Sequence, residues 1–530
     1  LNWGFFKRKQ AYYPADSYSK DYIEEMLQVT GKYEVSRIPA IFELLLTSSN
    51  ELKVRTAKVL HDYVQSLNIL ELSKLDNLFR ERSSLDWSYD WKTESPENLL
   101  TTDMTEEVRL MILGLCSFHP SGYFREKALH LLDQHDSGKE LSYLLIRCND
   151  WVTEVRDTAK KYVERRLKHS YVNNIVNNLP LVFKLKNTNR NDNRKIFEQV
   201  VHILSQKESF PFLDKGTKSN FGKIRYFCYR VIISSKMYNK ELLLKYLKLE
   251  KEPHPRLLLF NELISDISVD EFKLYYPTLK KDKFPMIRAK VLEKYFSFFP
   301  DESIKELENA LLDKSGTIRS IARFLLSKQN KSDFASYYIR MLKSYQLVRG
   351  ALLGLGEVGK KNHVELIIPY LDDSNVSIVK AAIRAISLLD GENHKAEFVG
   401  LLDHKDEGIS KVARRSLSTV YYKDIKEQLY SLYTETNYKH TKYNIALLLS
   451  SLSKWDAIIY IIEFYVNEEE SEISRLGKTN FINWIVNFNR TFDLPTKNQI
   501  VSIRNTLSKY GSELEKSDVS EIEFCIKGFQ

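Results

Sequence analysis

The chain has 530 residues, with 79 Lys and Arg against 70 Asp and Glu, a formal charge of +9. That length is too great for one compact core of ordinary size, so the chain either splits into domains or grows by repetition. With 43% apolar and 28% charged residues it is of a folded, soluble class rather than a disordered or membrane-spanning one, and its mild basicity permits an acidic partner without demanding one.

Only 18 Gly and 13 Pro interrupt a chain rich in Leu, Ile, Lys and Glu, which favours helix. Four cysteines, Cys116, Cys148, Cys228 and Cys525, lie far apart with no CxxC. They predict buried thiols in a reducing compartment, hence a cytoplasmic protein, and no zinc site. No apolar run reaches the ~18 residues of a membrane span, and LNWGFFKRKQAYYPADSY lacks the apolar core of a secretion signal. A Leu at the first position points to a trimmed chain or a non-standard start codon.

Residues 1–40 read as an N-terminal cap. Residues 41–195 read as irregular helical repeats, opened by Val54-Arg55-Thr-Ala57 and continued by Phe124-Arg125-Glu-Lys-Ala128 and Val155-Arg156-Asp-Thr-Ala159. A loop near 83–105 interrupts them and carries Trp87, Tyr89 and Trp91 among Asp86, Asp90, Glu94 and Glu97. Alternate aromatics in a loop suit a recognition surface, and equally suit a plug for the protein's own groove. Next comes a basic stretch containing Lys160, Lys161, Arg165, Arg166, Lys184, Lys186 and Arg190, which fits a grip on an acidic protein or nucleic acid, or else a solvated helix face.

From Arg194 a basic residue returns about every 31 positions, at Arg225, Arg256, Arg288, Arg319, Arg349, Lys380, Lys411 and Lys442. Self-similarity at this period predicts stacked helical hairpins over 196–510, with 511–530 as a C-terminal cap. Each unit reads as helix A, a turn bearing Asp282, Asp313, Asp372, Asp373 or Asp403, then helix B opening near the basic residue. Ile318, Ile321, Ala322 and Leu325 give helix B an apolar face, and small residues such as Ala351, Ala382 and Ala413 allow close helix approach. The turn acids are placed to cap helix B. Arg323, Arg384 and Arg415 form a partial second basic column.

Two readings of the ladder stand. The basic residues line a phosphate-binding stripe, or each is bonded internally to turn acids and helix-end carbonyls. The Lys rungs at 380, 411 and 442 lose the bidentate fork of Arg and are expected to be looser. Gly354-Leu-Gly356-Glu-Val-Gly359-Lys360-Lys361 imitates a nucleotide-binding loop, but the segment before it reads as a helix and Lys361 stands where a P-loop needs Ser or Thr. It is expected to be a turn between helices. No HExxH, GxSxG or metal-spaced ligand cluster is present, so neither catalysis nor a cofactor is expected.

The segments TIRSIARFLLS, NDWVTEVRDTA and ALLGLGEVGKKNHVELIIPYLDDSNVSIVKAAIRAI resemble HEAT-like repeats of the short, phycobilin-lyase type, with their Val-Arg helix and Leu-Leu-x-Asp turn. The resemblance implies an all-α fold, a right-handed α-solenoid of stacked two-helix repeats. It favours the internal reading of the ladder. Tetratricopeptide repeats, with a period of 34, fit less well. Because such arrays serve many roles, the leading expectation is a non-catalytic scaffold or adaptor for a protein or peptide partner of acidic character. The alternative is a nucleic-acid-binding protein similar to the repair glycosylases built on such repeats. An enzyme of the bilin-lyase kind rests on fold analogy alone. The candidate contacts are Trp87, Tyr89, Trp91, Lys160, Lys161, Arg165, Arg166, Lys184, Lys186, Arg190, Arg323, Arg384 and Arg415.

Overall fold

The computed structural model describes residues 14–28, 34–81, 91–188, 193–345, 347–467, 471–490 and 492–529. All regular structure among them is helical. The chain divides into two compact units, Leu1–Ser268 and Val269–Gln530. That division falls inside the stretch read as one regular array, and each unit is described separately below.

Within each unit, helices pack chiefly on near neighbours in the chain. In the first unit, for example, Leu141–Arg147 packs on Thr153–Arg166, and Lys240–Leu249 on Pro253–Ser265. In the second, Val348–Val358 packs on Val376–Asp390, which packs in turn on Glu407–Leu417. The residues at the helix starts explain where helices begin. Thr105 accepts from the Val108 N–H, Asn239 from Leu242 and Asp406 from Ile409, while Pro253 and Pro285 open helices in which their missing N–H costs nothing.

The ladder follows one local rule. Arg125, Arg156, Arg225, Arg256, Arg288 and Arg319 each donate to the backbone carbonyl six residues earlier, at distances from 2.5 to 2.9 Å. The residue supplying that carbonyl also holds the turn. The side chains of Asp150, Glu250, Asp282 and Asp313 accept the N–H two residues on, and His119 and Ser219 do the same with Nδ1 and Oγ. Asp282, Asp313 and Asp373 therefore brace the approach to helix B rather than capping the helix itself, whereas Asp403 accepts from the Thr436 hydroxyl. Several rungs also reach a carboxylate 25 residues ahead: Arg125 to Asp150, Arg225 to Glu250 and Arg288 to Asp313. Arg319 instead takes Glu357. The ladder is internal stitching at these rungs. The Lys rungs are looser: Lys380 keeps a single ion pair to Asp406 at 3.1 Å. Among the described residues Lys411 and Lys442 have no ion pair or side-chain hydrogen bond.

In the first unit this stitching condenses into a buried network. Arg125 and Asp150 are both fully buried and bonded through two parallel contacts of 3.0 and 2.8 Å. Arg147 donates to Asp150 at 2.7 Å and to Asp76 at 2.5 Å, and Arg80 closes the chain on Asp76. Burial works to raise the Asp76 pKa, but Arg147 and Arg80 outweigh it and hold the carboxyl below its usual range.

His119 sits beside this network, fully buried. Burial first, and the Arg125 charge second, push its pKa down to about 3. An unfolded histidine titrates near 6.5, so the folded state binds fewer protons than the unfolded chain below that pH. The His119 contribution to stability is therefore complete above about pH 6.5 and is lost as pH falls toward 3. His119→Asn, whose Oδ1 keeps the acceptor for the Ser121 N–H, should flatten the loss of melting temperature between pH 7 and pH 4.5. Parallel pH profiles for the two proteins would refute this.

The second unit holds two apolar clusters. One runs from Ala289 to Ile473, and the other joins Trp455, Ile458, Trp484, Ile503 and Ile522 near the C-terminal end. Gly354 and Gly356 lie within helix Val348–Val358, and Gly359 ends it, so the nucleotide-loop imitation is a helix end, as expected. Gly350 on the same helix is needed for close approach, because a Cβ there would clash with the Leu312 carbonyl oxygen. Backbone cannot yield as a side chain can, so Gly350→Ala should cost about 1–3 kcal/mol by overpacking. A thermal melt checks this, and an unchanged midpoint would contradict the contact.

Candidate functional site

The first unit contains an open cavity of about 630 Å³ between the turn at Ser73 and Lys74, helix Leu179–Leu185 and helix Gly222–Ser234. The sequence builds it by facing. On Leu179–Leu185, Leu179, Leu181, Val182 and Leu185 are buried, which turns Phe183 and Lys184 outward. On Gly222–Ser234, Ile224, Cys228, Val231 and Ile232 face the core. Lys223, Tyr226, Phe227 and Arg230, spaced as one face of a helix, line the cavity.

Five cations line the groove: Lys74, Lys184, Lys186, Lys223 and Arg230. Three rings, Phe183, Tyr226 and Phe227, lie between them, and no carboxylate is among the lining residues. Phe183 and Phe227 stack on each other at 4.2 Å, and the Arg230 guanidinium lies 4.8 Å from the Phe183 ring centre. Lys186 sits 4.7 Å from the Phe197 ring, and Lys184 reaches Ser73 Oγ at 3.3 Å. The charged ends of Arg230 and Lys186 thus lie over ring faces, which holds them in place at the groove. Lys184 also lines an adjoining cavity of about 320 Å³. This arrangement can attract and hold an anionic chain. Among the described residues no group of three His, Cys, Asp or Glu is placed to hold a metal ion.

The expected contact residues are scattered. Lys184 and Lys186 are in the groove. Arg166 is buried and satisfied by Asp133, Glu140 and the carbonyls of Tyr162 and His135, so its role is structural. Arg165 pairs with Asp133 beside the Tyr162 ring. Lys161 is exposed and Lys160 half-buried. Trp91 is only 5% exposed and packs against His119 and Phe124, which makes it part of the core rather than a recognition surface. Trp87, Tyr89 and Arg190 lie outside the described residues. In the second unit Arg323 is neutralised by Glu357 at 2.8 Å and donates to the Tyr338 hydroxyl. Arg384 and Arg415 are exposed.

Lys74, Lys223, Tyr226, Phe227 and Arg230 were not anticipated. The last four carry a readable signal, the helical spacing within KIRYFCYR, on the side opposite the ladder residue Arg225. Lys74 carried none, since it lies more than a hundred residues from Lys184 in the chain.

No protein-family model matches this chain, and no curated protein matches it. Among the described residues no helix is long and apolar enough to cross a membrane.

Proposed function

We propose that this chain is a non-catalytic binding protein, a right-handed α-solenoid of HEAT-like repeats, that docks an acidic segment of a partner protein in the groove of its first unit. The observation that carries the reading is the groove itself: five cations and three rings with no carboxylate among them. Such a surface steers an acidic chain by long-range attraction and holds it by contacts to the rings. Internal bonding of most ladder rungs supports placing the working surface here rather than along the ladder. Three buried free thiols fit the cytoplasmic setting in this reading, with burial pushing Cys148 up to about 12.

Nucleic acid is the second reading, favoured by rings interleaved with cations. Against it, Phe183 and Phe227 already stack on each other and Phe183 also carries Arg230, which leaves less ring face for bases. Titration of a fluorescent Glu- and Asp-rich peptide, in competition with a single-stranded oligonucleotide, separates the two. The protein reading expects saturable peptide binding that the oligonucleotide displaces poorly. Tight oligonucleotide binding that falls steeply with salt, without peptide binding, would replace it with the second reading.

A further inference from the structure

The second unit departs from the ladder rule at one place. Arg319 and Arg323 share Glu357. One repeat on, the residue in register with Glu357 is Leu388, and in the next two repeats it is Thr419 and Ser450. The forward acid is missing as well, because the position 25 residues after Arg349 is Ser374 and that after Lys411 is Thr436. Among the described residues Arg349, Arg384 and Arg415 have no ion pair and no side-chain hydrogen bond.

These cations nevertheless converge. Helices Val348–Val358, Val376–Asp390 and Glu407–Leu417 pack in succession and carry Arg349, then Lys380 and Arg384, then Arg415. A pocket of about 380 Å³ is lined by Arg349, Lys380 and Arg384 together with Asn375, Val376 and Ser377, the first turn of the middle helix. Burial of part of its side chain, then the charges of Arg349 and Arg415, push the Arg384 pKa down. Like charges gathered at one pocket raise its energy, and an anion relieves it. Asp406 already pairs with Lys380 at 3.1 Å and the Asp373 charge stands at the helix start, so the unpaired guanidiniums of Arg349 and Arg384 carry the attraction. The positive end of the helix dipole adds to the attraction.

We infer that Arg349, Lys380 and Arg384 form a binding site for a phosphorylated Ser or Thr side chain of a partner protein. Two planar guanidinium forks and one ammonium suit the oxygens of a single phosphate dianion. No aromatic ring lines the pocket, so it offers nothing on which a nucleobase could stack, and its volume is at the small end of the range for ligand pockets. The site lies in the second unit and does not depend on the groove of the first.

The test uses a degenerate-sequence phosphoserine peptide pool, the same pool without phosphate, and a single-stranded oligonucleotide, each labelled and titrated into the full chain. The expected result is binding of the phosphorylated pool alone, weakened at least tenfold in both Arg349→Ala and Arg384→Ala. Because neither arginine has a carboxylate to leave unpaired, both variants should melt no lower than the parent, which keeps loss of binding distinct from loss of fold. Equal affinity for the two peptide pools overturns the inference. So does phosphopeptide binding that survives both substitutions, or oligonucleotide binding at this site without phosphopeptide binding.

Discussion

Asp150→Ala should destabilise the first unit by about 3–5 kcal/mol, the usual cost of leaving buried charges without their partner. Asp150 is fully buried and does four things at once. It takes two bonds from Arg125 and one from Arg147, and it accepts the Val152 N–H that fixes the turn before helix Thr153–Arg166. Removing it leaves the buried Arg125 guanidinium without a carboxylate and Arg147 with Asp76 alone, both close to Arg80. A loss of that size is a large fraction of the stability of an ordinary domain, so a thermal melt followed by circular dichroism should show an early transition in the variant. Asp150→Asn should recover only part of the loss, because an amide accepts hydrogen bonds but supplies no charge. A melting midpoint unchanged by Asp150→Ala would mean that the network is not buried as described.

The second large effect concerns binding. Lys184→Glu combined with Arg230→Glu changes the charge of the groove by four while touching no buried contact, since both side chains are exposed. Affinity for an acidic peptide should fall by roughly 10- to 100-fold, mainly through slower association, with the melting temperature nearly unchanged. Raising the salt concentration should shrink the difference between the parent and the variant, because screening weakens both attraction and repulsion. Unaltered affinity would remove the groove from the account.

The helical character and the ladder were legible because both are local. A recurring basic residue needs a carbonyl six positions back and, at several rungs, an acid 25 ahead, and both lie within one repeat. The task of the turn acids was less legible. Asp282 and Asp313 precede their helices by more than the one position a cap occupies, and their oxygens meet the N–H two residues on. Trp91 read equally as a recognition residue or as a plug for the protein's own groove, because nothing nearby in the chain shows that His119 and Phe124 will enclose it. The groove was half legible: Lys184 and Lys186 stood out as local charge, whereas Lys74 reaches the site only through tertiary packing. The basic pocket at Arg384 shows itself as missing acids, at Ser374, Leu388 and Thr419, and a search for motifs passes over missing residues.

In the proposed function the ladder holds the fold while the groove does the binding. Comparing Arg125→Ala with the Lys184→Glu, Arg230→Glu pair tests it most directly, by measuring melting temperature and acidic-peptide affinity on the same samples, below the melting transition of each. The two variants should behave oppositely: the rung variant melts much earlier but binds as the parent does while folded, and the groove variant melts with the parent but binds weakly. A rung variant that keeps its melting temperature and loses binding would contradict it.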